Sequence, residues 1–207
     1  MELKLFIFYV LVYIYTGFSL KLIDQVNDEN FKLNPKIKTM ILLSSPILAG
    51  IVMGIDLYNA SVGLMLILGL FFARKINTLD FKIYTIIVIS SMLIVNIINQ
   101  FYIFLNFLSI IFTTIILLMA VIADEILNEL LDSKCFTNLF LKNLASIRPI
   151  LKIIVFILPL FNLFTYYHAI MMLCFDITYD LIRYITERKM KNNESFSVIH
   201  TCSDSSV

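Results

Sequence analysis

The sequence predicts an all-α integral membrane protein, a bundle of about seven transmembrane helices, with six as the alternative, its N-terminus outside and its C-terminus inside. Three observations carry this. The chain is 60% apolar with only 15% charged residues and a mean hydropathy of +0.91. Several apolar runs reach the ~20 residues that cross a ~30 Å hydrocarbon core. The connections between those runs alternate in charge.

The runs are Leu3–Ile23, Ile37–Ile55, Leu57–Ala73, Ile83–Ile98, Phe101–Ala123, Ile150–Phe164 and Tyr166–Ile182. The first resembles a signal peptide, with a charged start and the small residues Gly17 and Ser19. Its cations follow the run instead of preceding it, so it is read as a span. The second and third make a tight hairpin around Gly54, Asp56 and Asn59. Gly50 and Gly54 have the small-xxx-small spacing that lets membrane helices approach closely, and Gly63 and Gly69 extend that smooth surface to the third span. Pro46 and Pro159 sit within or beside spans and can kink them.

Lysines 21, 32, 36 and 38 follow the first span, and Arg74, Lys75 and Lys82 follow the third. Lys134, Lys142, Arg148 and Lys152 follow the fifth; Arg183, Arg188, Lys189 and Lys191 follow the seventh. Only Lys4 lies on the other side. The positive-inside rule makes the basic side cytoplasmic. Residues 1–190 form one transmembrane domain, and 191–207 form a polar cytoplasmic tail expected to be disordered.

Several function classes drop out on composition. A net charge of +1 with interleaved signs gives no nucleic-acid footprint. Cys135, Cys174 and Cys202 are odd in number and form no CxxC, so neither a disulfide framework nor a zinc site is implied. His168 and Cys174 are six residues apart on a helix and face different ways, so they make no thiol-imidazole pair. His168 is expected at the interface beside Tyr166 and Tyr167. Heavy use of Ile, Leu, Phe, Lys and Asn with no Trp fits an AT-rich prokaryotic genome, and the expected location is the cell membrane.

The acids carry the functional signal. Thirteen of fifteen lie at the cytoplasmic ends of spans, where three helices carry pairs at i, i+4: Asp24/Asp28, Asp124/Asn128 and Asp176/Asp180. Residues four apart share a helix face with Cβ atoms ~5–6 Å apart, close enough for two carboxylates to share a divalent cation. Asp24–Glu29 and Asp124–Glu129 both read Asp-xxx-[Asp/Asn]-Glu, as an approximate repeat of spans one to three in five to seven would produce. Asp176 stands out: ten residues into the seventh span it lies ~15 Å along the helix, near mid-membrane. A carboxylate there must be paired, protonated or hydrated.

Asp176-Ile-Thr-Tyr-Asp180 resembles the shorter DxxxD motif of the UbiA-type prenyltransferases, whose Asp-rich motifs hold Mg²⁺ and a prenyl diphosphate. Their longer NDxxDxxxD motif is absent, because Asp124, Asn128 and Asp132 are spaced by four and four. The CDP-alcohol phosphotransferases need Gly among the acids, and none is present. Tyr179-Asp180 is similar to half of the GxGD intramembrane protease pattern, but Asp56 lies on the opposite side and lacks the first Gly.

The leading expectation is therefore a Mg²⁺-dependent enzyme acting on a phosphorylated or diphosphate lipid at the cytoplasmic face. Asp24, Asp28, Asp124, Asn128, Asp176 and Asp180 would hold the metal, and Arg74 and Lys75 would meet phosphate. Its rivals are a secondary transporter or ion pathway relayed through Asp176 and Asp180, and a non-catalytic accessory protein whose acids dock a basic partner.

Overall fold

The computed structural model describes residues 3–28, 31–72, 78–99, 106–133 and 149–203, and these contain helices but no strand. Among the described residues there are seven α-helices, one on each predicted apolar run: α1 Leu3–Asp28, α2 Pro35–Ile55, α3 Leu57–Phe72, α4 Leu79–Ile98, α5 Phe107–Ser133, α6 Pro149–Ile157 and α7 Tyr166–Ser203. Their starts follow local chemistry. Asn34 caps α2, its side chain accepting from the Lys36 N–H with Pro35 in the first turn, and Thr78 caps α4 by accepting from Phe81 N–H. Asp56 caps α3 through the N–H groups of Tyr58 at 2.9 Å and Asn59 at 3.2 Å.

Among the described residues, four helices are long and apolar enough to cross a membrane: α1, α2, α4 and the Phe107–Leu127 part of α5. At 16 residues α3 is shorter, ~24 Å at the usual rise. The sixth run is not one helix. After nine residues α6 tightens into a 3-10 turn, Leu158–Phe161, around Pro159, and Asn162 ends it in the left-handed conformation at φ 54°. Asp176, Asp180 and Arg183 interrupt the apolar stretch of α7, which keeps it out of the four.

The backbone of α7 is helical from Tyr166 to Ser203. No Gly or Pro lies between Tyr166 and Ser203, so elongation from an existing helix meets no breaker.

Neighbouring helix pairs close a ring, α1 to α2, α3, α5, α6, α7 and back to α1, and α4 packs chiefly on α2. Glycines set two close approaches. A Cβ on Gly17 would come 2.6 Å from the Phe175 carbonyl oxygen, so α1 and α7 touch backbone to backbone. Gly50 and Gly54 abut Ser91, Val88 and Val95 of α4. The small-xxx-small pair thus joins α2 to α4 rather than to α3, and Gly63 meets α2 only through the Met53 side chain. Gly69 has open space around it.

Candidate functional site

The Gly17 contact decides where the acids meet. Asp24 follows Gly17 by seven residues, two turns along the same face of α1, and Asp176 follows Phe175 on α7. Both carboxylates line one cavity of about 650 Å³ inside the helix ring. Its other polar lining is Glu125 of α5 and Tyr179 of α7, and its body is apolar, with Met65, Leu118 and Met172 among the walls. Gly69 and Phe81 border it from α3 and α4.

The two acids have separate cationic neighbours. Lys21 and Asp24 are both buried, at 6% and 4% exposure, and form an ion pair of 2.9 Å. The Tyr179 hydroxyl donates to the same Asp24 Oδ2 at 3.4 Å, and the Lys21 ammonium lies 5.5 Å from the centre of the Tyr179 ring. Asp176 is also buried and lies 3.8 Å from the Lys152 ammonium at the start of α6.

Asp124 does something else. It is buried, and its two oxygens accept from the backbone N–H groups of Ile150 at 3.0 Å and Leu151 at 2.8 Å. Those are orphan donors of the first turn of α6, so Asp124 caps a helix other than its own. The similar motifs at Asp24 and Asp124 thus take different roles, an ion pair in the first and a cap in the second. Asp180 is at the surface with Arg183 at 3.1 Å, and Asp28 is exposed at the end of α1. The side chain of Asn128, and Arg74 and Lys75 altogether, lie outside the described residues.

The structure therefore brings together Asp24 and Asp176 of the six acidic-end candidates, and adds Glu125, Lys21, Lys152 and Tyr179. Among the described residues no group of three or more His, Cys, Asp or Glu side chains is placed to hold a metal ion. Two carboxylates at one cavity suit Mg²⁺ only when substrate phosphates and water complete its shell, which is the usual way this ion is bound.

A second cluster, at the opposite end of the bundle, was not foreseen as a unit. His168 is buried rather than interfacial, at 3% exposure, while Tyr166 and Tyr167 are half exposed. Its Nδ1 is hydrogen-bonded to Thr165 Oγ1, and its Nε2 lies 3.1 Å from Asp56 Oδ1, out of line for a well-formed hydrogen bond. The rings of Tyr58 and Phe164 pack against it. One imidazole thus joins the capping residue of α3 to Thr165, the residue that opens α7. Burial pushes the Asp56 carboxyl up, but His168 and the N–H groups of Asn59 and Tyr58 outweigh it and hold the group below its ordinary value. The available signal was topological: both residues sit at helix starts on the side that the charge pattern places together.

No family model, curated protein or solved structure matches this chain.

Proposed function

We propose that the chain is a seven-span membrane protein, N-terminus out and C-terminus in, that admits a phosphorylated or diphosphate lipid to the central cavity from the cytoplasmic side. One observation carries the reading: carboxylates from the first and last helices, each beside a lysine, line one largely apolar cavity. The volume of about 650 Å³ suits a medium-sized amphiphile, with chain against Met65, Leu118 and Met172 and head group toward Asp24 and Asp176.

The lysines give the reading its chemistry. Lysine is a flexible point charge with three rotatable donors. Lys21 and Lys152 neutralise Asp24 and Asp176 when no phosphate is present, and turn to phosphate oxygens when one enters. Together with phosphate oxygens and water, the two carboxylates would supply protein ligands for Mg²⁺, which would neutralise phosphate charge and polarise the leaving group. Tyr179, already donating to Asp24, fixes that carboxylate's orientation. A relay through Asp176 and Asp180 has less support, because Asp180 is at the surface with Arg183 and does not line the cavity.

The test uses an alkyl diphosphate with Mg²⁺ and the detergent-purified protein. Thermal stabilisation requires both additives together in the wild type, is lost in Asp176→Asn, and is lost in Gly69→Leu, whose new side chain enters the cavity where a Cβ meets nothing. Equal stabilisation of wild type and Gly69→Leu removes the cavity from the reading. Stabilisation by Mg²⁺ alone would contradict the shared metal shell.

A further inference from the structure

We propose that the central cavity opens sideways to the bilayer between α3 and α5, and that the hydrocarbon chain of a lipid in the surrounding leaflet enters it there. The proposal rests on the reading of this cavity as a lipid site. It adds the route and the class of occupant, a membrane-resident chain drawn from the bilayer and not from water.

The seam between these neighbouring helices is closed at the end away from the cavity. Ala60 and Ile110 are buried together there, and two hydrogen bonds cross beside them: Ser61 donates to the Ile110 carbonyl at 3.4 Å, and Thr114 to the Ser61 carbonyl at 3.3 Å. Toward the cavity the packing runs out. Met65, at 1% exposure, is the last buried residue of α3; Leu66 through Phe72 carry no polar side chain, yet none of them is buried. Residues three or four apart share a helix face, so Met65, Gly69 and Phe72 make one row on α3, and Leu118, Ile122 and Ile126 make another on α5. Both rows line the cavity. Gly69 leaves a gap in the first, since a Cβ there would meet nothing within 4 Å.

The other walls are shut. Every described lining residue from α1, α4 and α6 is buried, and so are those of α7 apart from the partly buried Tyr179. The exposed ones are Phe72 of α3, at 59%, with Glu125 and Ile126 of α5, the latter at 52%. Ile126 belongs to the Phe107–Leu127 stretch that is apolar enough to span, so its open side faces hydrocarbon, and Glu125 beside it marks the border with water. Lipid tails are as apolar as leucine, so apolar helix faces gain little by closing on one another where no hydrogen bond or backbone contact holds them. A void against such walls forfeits the dispersion contacts of the atoms facing it, and a chain entering from the side restores them. That chain need not fit entirely within about 650 Å³. Its head-group end lies toward Asp24 and Asp176 and the remainder stays in the leaflet, so the site selects by head group and not by chain length.

The chain contains no tryptophan, so one introduced by substitution reports its own surroundings alone. The full chain carrying Met172→Trp, on the α7 wall of the cavity, is reconstituted in phosphatidylcholine vesicles with and without bromine on the acyl chains, with no alkyl diphosphate or Mg²⁺ added. Bromine quenches indole emission only at short range, so the loss of emission reads chain entry. Ile115→Trp, on the exposed side of α5, sets full quenching, and Phe164→Trp, buried at the opposite end of the bundle, sets the floor. Met172→Trp is expected to lose at least half as much emission as Ile115→Trp, and adding Gly69→Phe, whose ring fills the gap, to return it to the floor. Leu118→Trp, on the α5 wall, repeats the measurement should Met172→Trp not fold. Emission at the floor in both cavity variants overturns the proposal. So does quenching that Gly69→Phe leaves unchanged, because the chain then enters elsewhere. Quenching relieved by Gly69→Phe, in a protein that alkyl diphosphate with Mg²⁺ does not stabilise, supports the side opening and removes the head-group reading.

Discussion

The two ends of the helix bundle use carboxylates in opposite ways. At one end Asp56 accepts from two backbone N–H groups and faces a buried imidazole, with a small void of about 40 Å³ farther along the bundle. At the other, Asp24 and Asp176 face lysine side chains at the edge of about 650 Å³. A carboxylate bound to backbone is fixed by the fold and leaves only when a helix end opens. One bound to a lysine can exchange its partner by a side-chain rotation, which is the property a binding site needs. Asp124 proves that the partner, not the end, makes the difference. It lies among the acids of the cavity end, yet its two backbone bonds make it as structural as Asp56.

The largest effect tests the lysine side of this contrast. Lys21→Met leaves Asp24 buried without its cation, and removing one member of a buried pair costs about 3–5 kcal/mol. The double variant Lys21→Met/Asp24→Leu is expected to recover most of that loss, because the desolvation of both charges goes with them. Denaturation in detergent reads the difference; a double variant no better than the single would mean that Asp24 is not stranded.

Next comes the backbone side. Asp124→Ala strands one buried and one part-buried donor at the start of α6, for a loss of about 2–4 kcal/mol, and Asp124→Asn, with one acceptor oxygen left, loses roughly half. Asp180→Ala, also from the acidic set but partly exposed and paired with Arg183 on its own helix, is expected to change stability by less than about 0.5 kcal/mol. Thermal unfolding of the three variants side by side ranks them; comparable losses at 124 and 180 would erase the distinction.

These roles explain how far the sequence could be read. Helix-forming runs were legible because apolar length and turn chemistry are local, and each of the seven runs holds one α-helix. The break in the sixth was signalled by Pro159, but its 3-10 geometry depends on the left-handed Asn162 beyond it. Among the acids, Asp176 was singled out by its depth, a property of one helix. The partners were not legible: Lys152 reaches Asp176 from α6, and Asp124 finds its donors 26 residues away, past residues 134–148, which lie outside the described set. Equal i, i+4 spacing at Asp24 and Asp124 says nothing about which neighbouring helix arrives, and that neighbour decides between ion pair and cap. Gly50 and Gly54 were legible as a packing surface, yet only the structure shows α4 as the helix they receive.

Glycine offers a smaller test with opposite signs at the two kinds of place. Gly50→Ala drives a methyl into Ser91 Oγ and the Val88 carbonyl oxygen, and overpacking of that sort costs about 1–3 kcal/mol. Gly69→Ala meets nothing within 4 Å and should stabilise α3 by roughly 0.5–1 kcal/mol through its backbone entropy. A loss at both positions would show that the cavity wall at Gly69 is closed in the protein as purified.

The smallest effect is one of pH at the Asp56 end. The folded Asp56 carboxyl titrates below its ordinary value of ~4, so its stabilising contribution is present above that value and is lost as pH falls through the lowered one. The difference in unfolding temperature between wild type and Asp56→Asn should therefore be constant near neutrality and shrink in acid. Replacing His168 by Gln sharpens the point, because burial is the strongest single influence on this carboxyl and pushes it upward. Without the imidazole only the N–H groups of Asn59 and Tyr58 oppose burial, and the acid transition should move to higher pH. An unmoved transition would assign the depression to the helix start of α3 alone and leave His168 as packing between Tyr58 and Phe164.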